Sequence, residues 1–577
     1  MRRMKIRGKR RAGVATAVAC ACAAAVLVTG CGGSSAPQRS HEDVQILHGT
    51  TPQDSTAGTV GDYKPTGKLV ADTGFRPPAD GFGFENYGVT DEVVNLTPAA
   101  VEEVFGHEVC ANGSGATCKL IPSARAWMEE ENDAMNAGHC FGMAVAVARF
   151  YGRQLYPDGF GAPSPAQLAL LGNAPLQRTI AESNAIQEIP TIRKKAFAGT
   201  PNQILDHLIA GIKAKKPLYV LGLFRTDGGG GHAVTPYAVE DRGDGRYAVL
   251  VYDNNFPGIT RAVSFDRHAD GWKFVAQSNP EDPNQLYGGS GVESNLALYP
   301  GIPPKGVLPC PFCNGKNHGK KAGGDTQQFN EIALEGDATN HAHLLITDAK
   351  GRRTGYVNGK VVNEIPGAEV MRRLNNKTWA EDAEPVYLVP ANRPVSVLVD
   401  GRNLKKPVVE KLEFIGPGDR VEVEGIELRR GEHIRANFAG DGSSVSLRTD
   451  PRHDESPVLR VGIEDAPDSY DFALKARRLA GGSKLNVRLD QPHYQFDIDT
   501  RGVREAASTS YDVRFGRYDL SFERMTPTGT MTFRHPNLLL PRGTIARLDY
   551  KGFNPHHRTL DLELLRNGHT KIEKLRG

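Results

Sequence analysis

The sequence predicts an α+β part, in which a helix carrying a candidate cysteine nucleophile packs on an antiparallel sheet, followed by an all-β, sandwich-like C-terminal region. Three observations carry this expectation. Gly138-His-Cys-Phe-Gly-Met143 opens the apolar, proline-free run Phe141 to Tyr151, which reads as a helix stopped by Gly152. A glycine stretch, Gly228 to Gly231, leads His232 into two β-runs joined by a turn. Beyond about residue 326, short alternating segments recur between turn signatures and helical periodicity is scarce.

The N-terminus reads as a leader. Arg2, Arg3, Lys5, Arg7, Lys9, Arg10 and Arg11 precede the apolar stretch Ala12 to Leu27, which is too short for a comfortable membrane span. Val28-Thr29-Gly30-Cys31 follows and resembles the lipobox of bacterial lipoproteins, which implies cleavage after residue 30, lipidation of Cys31 and a place on the outer face of the cytoplasmic membrane. The Arg10-Arg11 pair lacks the flanking residues of a twin-arginine signal. Residues 31 to 80, rich in Gly, Ser, Thr, Pro and Asp, are expected to form a flexible tether.

Composition narrows the partners. A formal net charge of +3 over 577 residues, partly held in the leader, points to no nucleic-acid partner. Of eight cysteines, Cys20 and Cys22 lie in the leader and Cys31 takes the lipid. Five remain, so in an exported protein two pairs close and one thiol stays free. Cys110 and Cys118 bracket a small polar loop, Cys310 and Cys313 bracket Pro-Phe, and Cys140 is left over.

Between residues 81 and 300 the pattern mixes helices with strands. Thr97-Pro98 starts a short helix toward Phe105. Ser164-Pro-Ala-Gln167 and Thr200-Pro-Asn-Gln203 each predict a helix start, with a capping residue, proline at the first position and Gln three residues after the cap. Ile204 to Ala214 is amphipathic, Pro217 to Phe224 reads as a buried strand, and β-runs to Val239 and from Arg246 to Tyr252 flank a turn within Glu240 to Gly245. Residues 301 to 325 read as a Pro/Gly/Lys-rich linker clipped by the cysteine pair, and residues 326 to 577 as one large or two small β-domains with turns at Asn358-Gly359, Asp400-Gly401 and Asp441-Gly442.

The chemistry centres on Cys140. At a helix start the unpaired N–H groups and the helix dipole favour a thiolate, which is the nucleophilic form. An imidazole must reach it, and a third group should fix the tautomer. If Val239 pairs with Arg246, His232 faces Asp253, with Cβ atoms about 5 Å apart. A slip of two residues offers Asn255 instead, and Asn254 points to the other face unless a bulge intervenes. His139 is a cleft or structural residue. Cys310-Cys313 could be a redox or zinc CxxC with His318, His341 or His343, but its proline-rich loop and lack of a second CxxC favour a disulfide. The Asp-Gly turns lack the spaced carboxylates of a calcium loop. Neither metal nor cofactor is expected.

With the nucleophile at a helix start, Gly231-His232-Ala233-Val234 heading a later strand and Asp253 to Asn255 after the next, residues 81 to 300 resemble the papain-like cysteine peptidases in their broad sense. The resemblance implies Cys140 as nucleophile, His232 as general base and acid, and Asp253 as orienter. That family usually carries a glutamine before the cysteine as oxyanion donor; none occurs between Trp127 and Cys140, and Asn136 is the candidate substitute. The expected activity is hydrolysis of a peptide or isopeptide bond in a peptide, protein or cell-wall substrate through an acyl-enzyme. A transglutaminase-like acyl transfer or a cell-wall amidase would use the same triad. The alternative is an inactive papain-like scaffold in a surface binding or adhesion lipoprotein whose β-rich half does the work.

Overall fold

The computed structural model describes residues 61–226, 230–275, 286–314, 328–376, 383–504, 514–554, 556 and 558–577. The expected leader, Cys31, residues 32 to 60 of the expected tether, Gly228, Gly229 and His318 lie outside the described residues. Among the described residues no helix is long and apolar enough to cross a membrane.

The tether as predicted runs too far. Strand β1 (Lys68–Asp72) pairs antiparallel with β6 (Gly231–Asp241), and the buried Glu240 accepts backbone N–H groups from Thr66 and Gly67. Helices α1 (Pro77–Asp80), α2 (Pro98–Phe105) and α3 (Pro122–Ala134) follow, with the small hairpin of β2 (Cys110–Asn112) and β3 (Lys119–Leu120) between the last two. Thr97 caps α2 by accepting the Ala100 N–H. Helix α4 (Cys140–Tyr151) ends at Gly152 and is buried along nearly its whole length, and α5 (Ala174–Ala185) packs beside it.

The Ser164 motif yields only a single 3₁₀ turn, Pro165–Gln167. Ser164 Oγ bonds the Gln167 side chain instead of capping a backbone N–H, and Leu168 is already extended. Thr200 instead forms a full capping box with Gln203 and starts α7 (Pro201–Lys213), after the short α6 (Pro190–Arg193).

One antiparallel sheet organises this part. Its order is Leu286–Ser290, Gly271–Val275, β8 (Thr260–Asp266), β7 (Arg246–Tyr252), β6, β5 (Tyr219–Phe224), Leu296–Pro300 and Phe197–Ala198. Alternation along β6 sends Ala233 toward α4 and Val234 and Val239 toward α7, so helices cover both faces.

The C-terminal half is β-rich. A nine-stranded and an eleven-stranded antiparallel sheet share one continuous core, from Ile332 through Leu575, so the region is one large sandwich and not two domains. Strands such as Val395–Asp400 and His433–Phe438 alternate buried and outward residues, and Asn358-Gly359 makes a tight turn with both residues at positive φ. Residues 301 to 314 are not a loose linker: Phe312 packs against Phe105 and Trp127. Helix α3 lies on the outer face of the nine-stranded sheet, where Arg125 meets Asp471 and Glu523, so the two halves form one body.

Candidate active site

The predicted register of the β6–β7 hairpin is wrong, although it put the right side chains together. Val239 faces Val249, not Arg246, because the chain turns tightly through Arg242 to Gly245 with three residues at positive φ. A bulge at Tyr237 follows Pro236, which has no N–H for the ladder, and the pairing resumes at Pro236↔Val251 and ends at Thr235↔Tyr252. Asp253 is thus the first residue past β7 and reaches His232 across the open end of the pair.

There Asp253 Oδ1 lies 2.7 Å from His232 Nε2. Its other oxygen takes an N–H of Arg261 at 3.3 Å, and Oδ1 also accepts the Asn255 backbone N–H at 3.0 Å. Asn255 therefore serves through its main chain, and its side chain is not the orienter. Arg261, from β8, stacks over Phe256 and Phe274 and is itself buried. Burial alone would push the Asp253 carboxyl up, but His232, Arg261 and the Asn255 N–H outweigh it and hold it below the usual carboxylate range.

Cys140 is the one free cysteine among the described residues, and its side chain is within hydrogen-bonding reach of the His232 ring. The Ala233 N–H points at its Sγ, 3.3 Å away. Burial disfavours a charged His232, yet the Asp253 carboxylate and Cys140 more than compensate and raise its pKa to about 10. Asn254, expected on the far face, donates to both the Cys140 and the Ala233 carbonyls at 3.0 Å. That amide clamps the start of α4 to β6 and so fixes thiol against ring.

His139 is structural. Burial lowers its pKa to about 4, its Nδ1 lies 2.6 Å from the Tyr87 carbonyl, and its ring stacks on Tyr87. A neutral ring that donates from Nδ1 must accept at Nε2, so the Asn95 amide 3.0 Å away turns its NH₂ inward.

Asn136 does not fill the oxyanion role. It is exposed and lines a cleft of about 750 Å³ beside Glu335 and Lys411. A buried amide that sequence reasoning missed, Asn86, reaches the residue before Cys140 instead. Its Oδ1 accepts the His139 N–H at 2.7 Å, and its Nδ2 donates across the cleft to the Asn376 carbonyl at 3.3 Å. Gly138 permits this approach: its φ is +138°, and a Cβ there would lie within 3.0 Å of the Asn86 amide. Asn86 lies far from Cys140 in sequence, on a loop with no motif to mark it.

A segment of the β-rich half covers the whole arrangement. The Gly231 N–H donates to the Arg373 carbonyl at 2.8 Å, and the Asn376 N–H to the Gly231 carbonyl at 3.1 Å. The Leu374 carbonyl sits 3.3 Å from the Phe141 N–H at the start of α4, and the Asn376 carbonyl lies 3.2 Å from His232 Nδ1. Leu374 is buried on Gly222 and Gly231, whose missing Cβ atoms leave room for it; either Cβ would come within 2.8 Å of a Leu374 methyl. Under this strap Cys140 and Asp253 are 0% exposed and His232 is 2%.

The strap is pinned by charge. Buried Arg373 pairs with Glu130 of α3 and with Glu188, while Glu131 and Glu331 stand close by. Desolvation raises Glu130 to about 7 and Glu131 and Glu331 well above the ordinary range, with Glu188 adding to each. Such groups bind protons more tightly folded than unfolded. Their stabilisation is complete below about pH 4 and is lost as pH climbs through the raised values; His232, shifted to about 10, acts in the same direction above neutrality. The thermal unfolding midpoint is therefore expected to fall steadily between about pH 5 and pH 8.5; a midpoint that rises across that window contradicts this assignment.

The other cysteines among the described residues form the Cys110–Cys118 and Cys310–Cys313 disulfides. Comparisons with family models, with curated proteins and with solved structures find no match to this chain.

Proposed function

We propose that this chain is an exported, lipid-anchored cysteine hydrolase of papain-like type, cutting peptide or isopeptide bonds, and that its own strap keeps it latent. The carrying observation is a buried cysteine in hydrogen-bond reach of a histidine that a carboxylate orients. A thiolate on Cys140 and an imidazolium on His232 would complete an alternating chain of charges with Asp253 and Arg261. The leader-like N-terminus with Cys31 and the two disulfides favour an extracytoplasmic setting.

In this reading Cys140 Sγ attacks the substrate carbonyl carbon, and the oxygen takes up negative charge facing the Asn86 amide and N–H groups at the start of α4. Imidazolium His232 gives its proton to the leaving nitrogen, and the C–N bond breaks to leave a thioester. Water, deprotonated by His232, then attacks the thioester and releases the acid and the thiolate. Two strap carbonyls already rest on these donors, Leu374 on the Phe141 N–H and Asn376 on Asn86 and His232, so the groups are aimed at peptide carbonyl oxygens.

Leu374→Ala tests it. Emptying the pocket should cost about 2–5 kcal/mol, enough to raise the population of the open strap by more than an order of magnitude. Iodoacetamide is expected to modify Cys140 at least about tenfold faster than in the wild type, and the opened protein to cleave members of a peptide library that Leu374→Ala/Cys140→Ala leaves intact. The covered triad equally favours the scaffold reading, which expects envelope-polymer or protein binding that survives Cys140→Ala and no cleavage by either variant.

A further inference from the structure

We infer that the outer face of the eleven-stranded sheet carries a site for a phosphate group, borne on a small ester or a lipid headgroup and held by Arg435, Arg448 and Arg504. The strand register places the charges. Arg448 stands directly opposite Arg435 on one side and Lys484 on the other, across strands His433–Phe438, Ser444–Arg448 and Lys484–Asp490. Their chain neighbours Ala436, Leu447 and Leu485 are buried in the sandwich core, so all three cations point outward along one line. Directly opposed residues hold their Cβ atoms about 5 Å apart, and like charges in that position destabilise the pair.

The repulsion is not answered within the chain. Among the described residues Arg448, Lys484 and Arg504 form no ion pair, and Arg435 donates to the Ser396 hydroxyl at 3.0 Å. Other arginines of the same sheet do meet carboxylates: Arg353 meets Glu364 at 2.7 Å, and Arg501 meets Asp499 and Arg547 meets Asp497 at 2.8 Å. The neighbouring Asp450 is buried and already matched, by two Arg452 nitrogens at 2.8 Å and by the His433 N–H at 2.9 Å. A second observation is the shape. His433, Arg435, Arg448, Thr449, Gly482 and Arg504 line one depression of about 280 Å³, which leaves room for a phosphate and the group that carries it. Gly482 opens it to Arg504: its φ is +75°, and a Cβ there would come within 2.8 Å of the Arg504 guanidinium. Guanidinium forks match phosphate oxygens in pairs, whereas a carboxylate has oxygens enough for only one fork.

The test titrates the full chain, at constant ionic strength, with glycerol 3-phosphate and with phosphatidylcholine vesicles that contain or lack phosphatidic acid. Saturable binding is expected, weakened about tenfold or more by Arg448→Gln and by Arg504→Gln, and unchanged by Arg353→Gln on the same sheet. Binding of glycerol 3-phosphate assigns a soluble ester, and binding of phosphatidic-acid vesicles alone assigns a headgroup. Thermal unfolding separates a ligand site from a structural one. Without phosphate, Arg448→Gln should unfold no earlier than the wild type, because the substitution relieves the repulsion; added glycerol 3-phosphate or phosphatidic-acid vesicles, whichever binds, should raise the midpoint of the wild type alone. No saturable binding of either probe, equal binding to vesicles without phosphatidic acid, affinity unmoved by both substitutions, or an Arg448→Gln that unfolds earlier than the wild type overturns the proposal.

Discussion

In the Leu374→Ala background, His232→Ala is expected to lower kcat by on the order of 10⁴ to 10⁶, because one ring holds the thiol's proton and delivers it to the leaving nitrogen. Asp253→Asn should cost on the order of 10⁴, since an amide can present its NH₂ to Nε2 and lock the wrong tautomer. The buried Arg261 would then face no carboxylate, so some of the loss should appear as stability. Steady-state kinetics on a cleaved library peptide, with unfolding midpoints measured alongside, separates the two contributions. Equal activity of all three variants would mean that catalysis lies elsewhere.

The second large effect concerns stability. Arg373→Met leaves Glu130 and Glu188 buried without their cation, and removal of one partner from such a group typically costs about 3–5 kcal/mol. The cost has a sign in pH. Protonated carboxyls need no counter-charge, so the loss should be small near pH 4 and grow through pH 7, where Glu130 ionises. Urea unfolding of the wild type and the variant at pH 5 and pH 8 measures it; a penalty larger at pH 5 contradicts the role given to Arg373.

Local features were legible in the sequence to the extent that their causes were local. The helix from Cys140 to Tyr151 follows from helix formers and a glycine stop, and the one from Pro201 follows from a reciprocal cap. The free thiol followed from counting cysteines against compartment. Ser164 shows where a local rule yields: its side chain found another partner, and no helix grew. Register was beyond reach because a bulge at Tyr237 and a tight turn at Arg242 to Gly245 each moved it. The pairing of His232 with Asp253 survived because the carboxylate sits past the strand end, free of the ladder's alternation. Asn86, Arg261 and the strap were invisible for a different reason. Asn86 meets Asn376 across 290 residues, and no spacing rule connects loops that only the assembled fold brings together.

The strap also gives the glycines before His232 a use: Gly230 and Gly231 accept a close backbone, that of Arg373 to Asn376. In the latent hydrolase proposed above, the chain's own segment would stand where a substrate backbone binds.

The most direct measurement is the rate of iodoacetamide modification of Cys140 at pH 6 in Leu374→Ala, with and without His232→Ala. A thiolate held by an imidazolium predicts fast modification once the strap is loosened, and a fall to the rate of an ordinary exposed cysteine when the ring is removed. Modification no faster than that of an ordinary thiol, or unchanged by loss of the imidazole, would contradict the account.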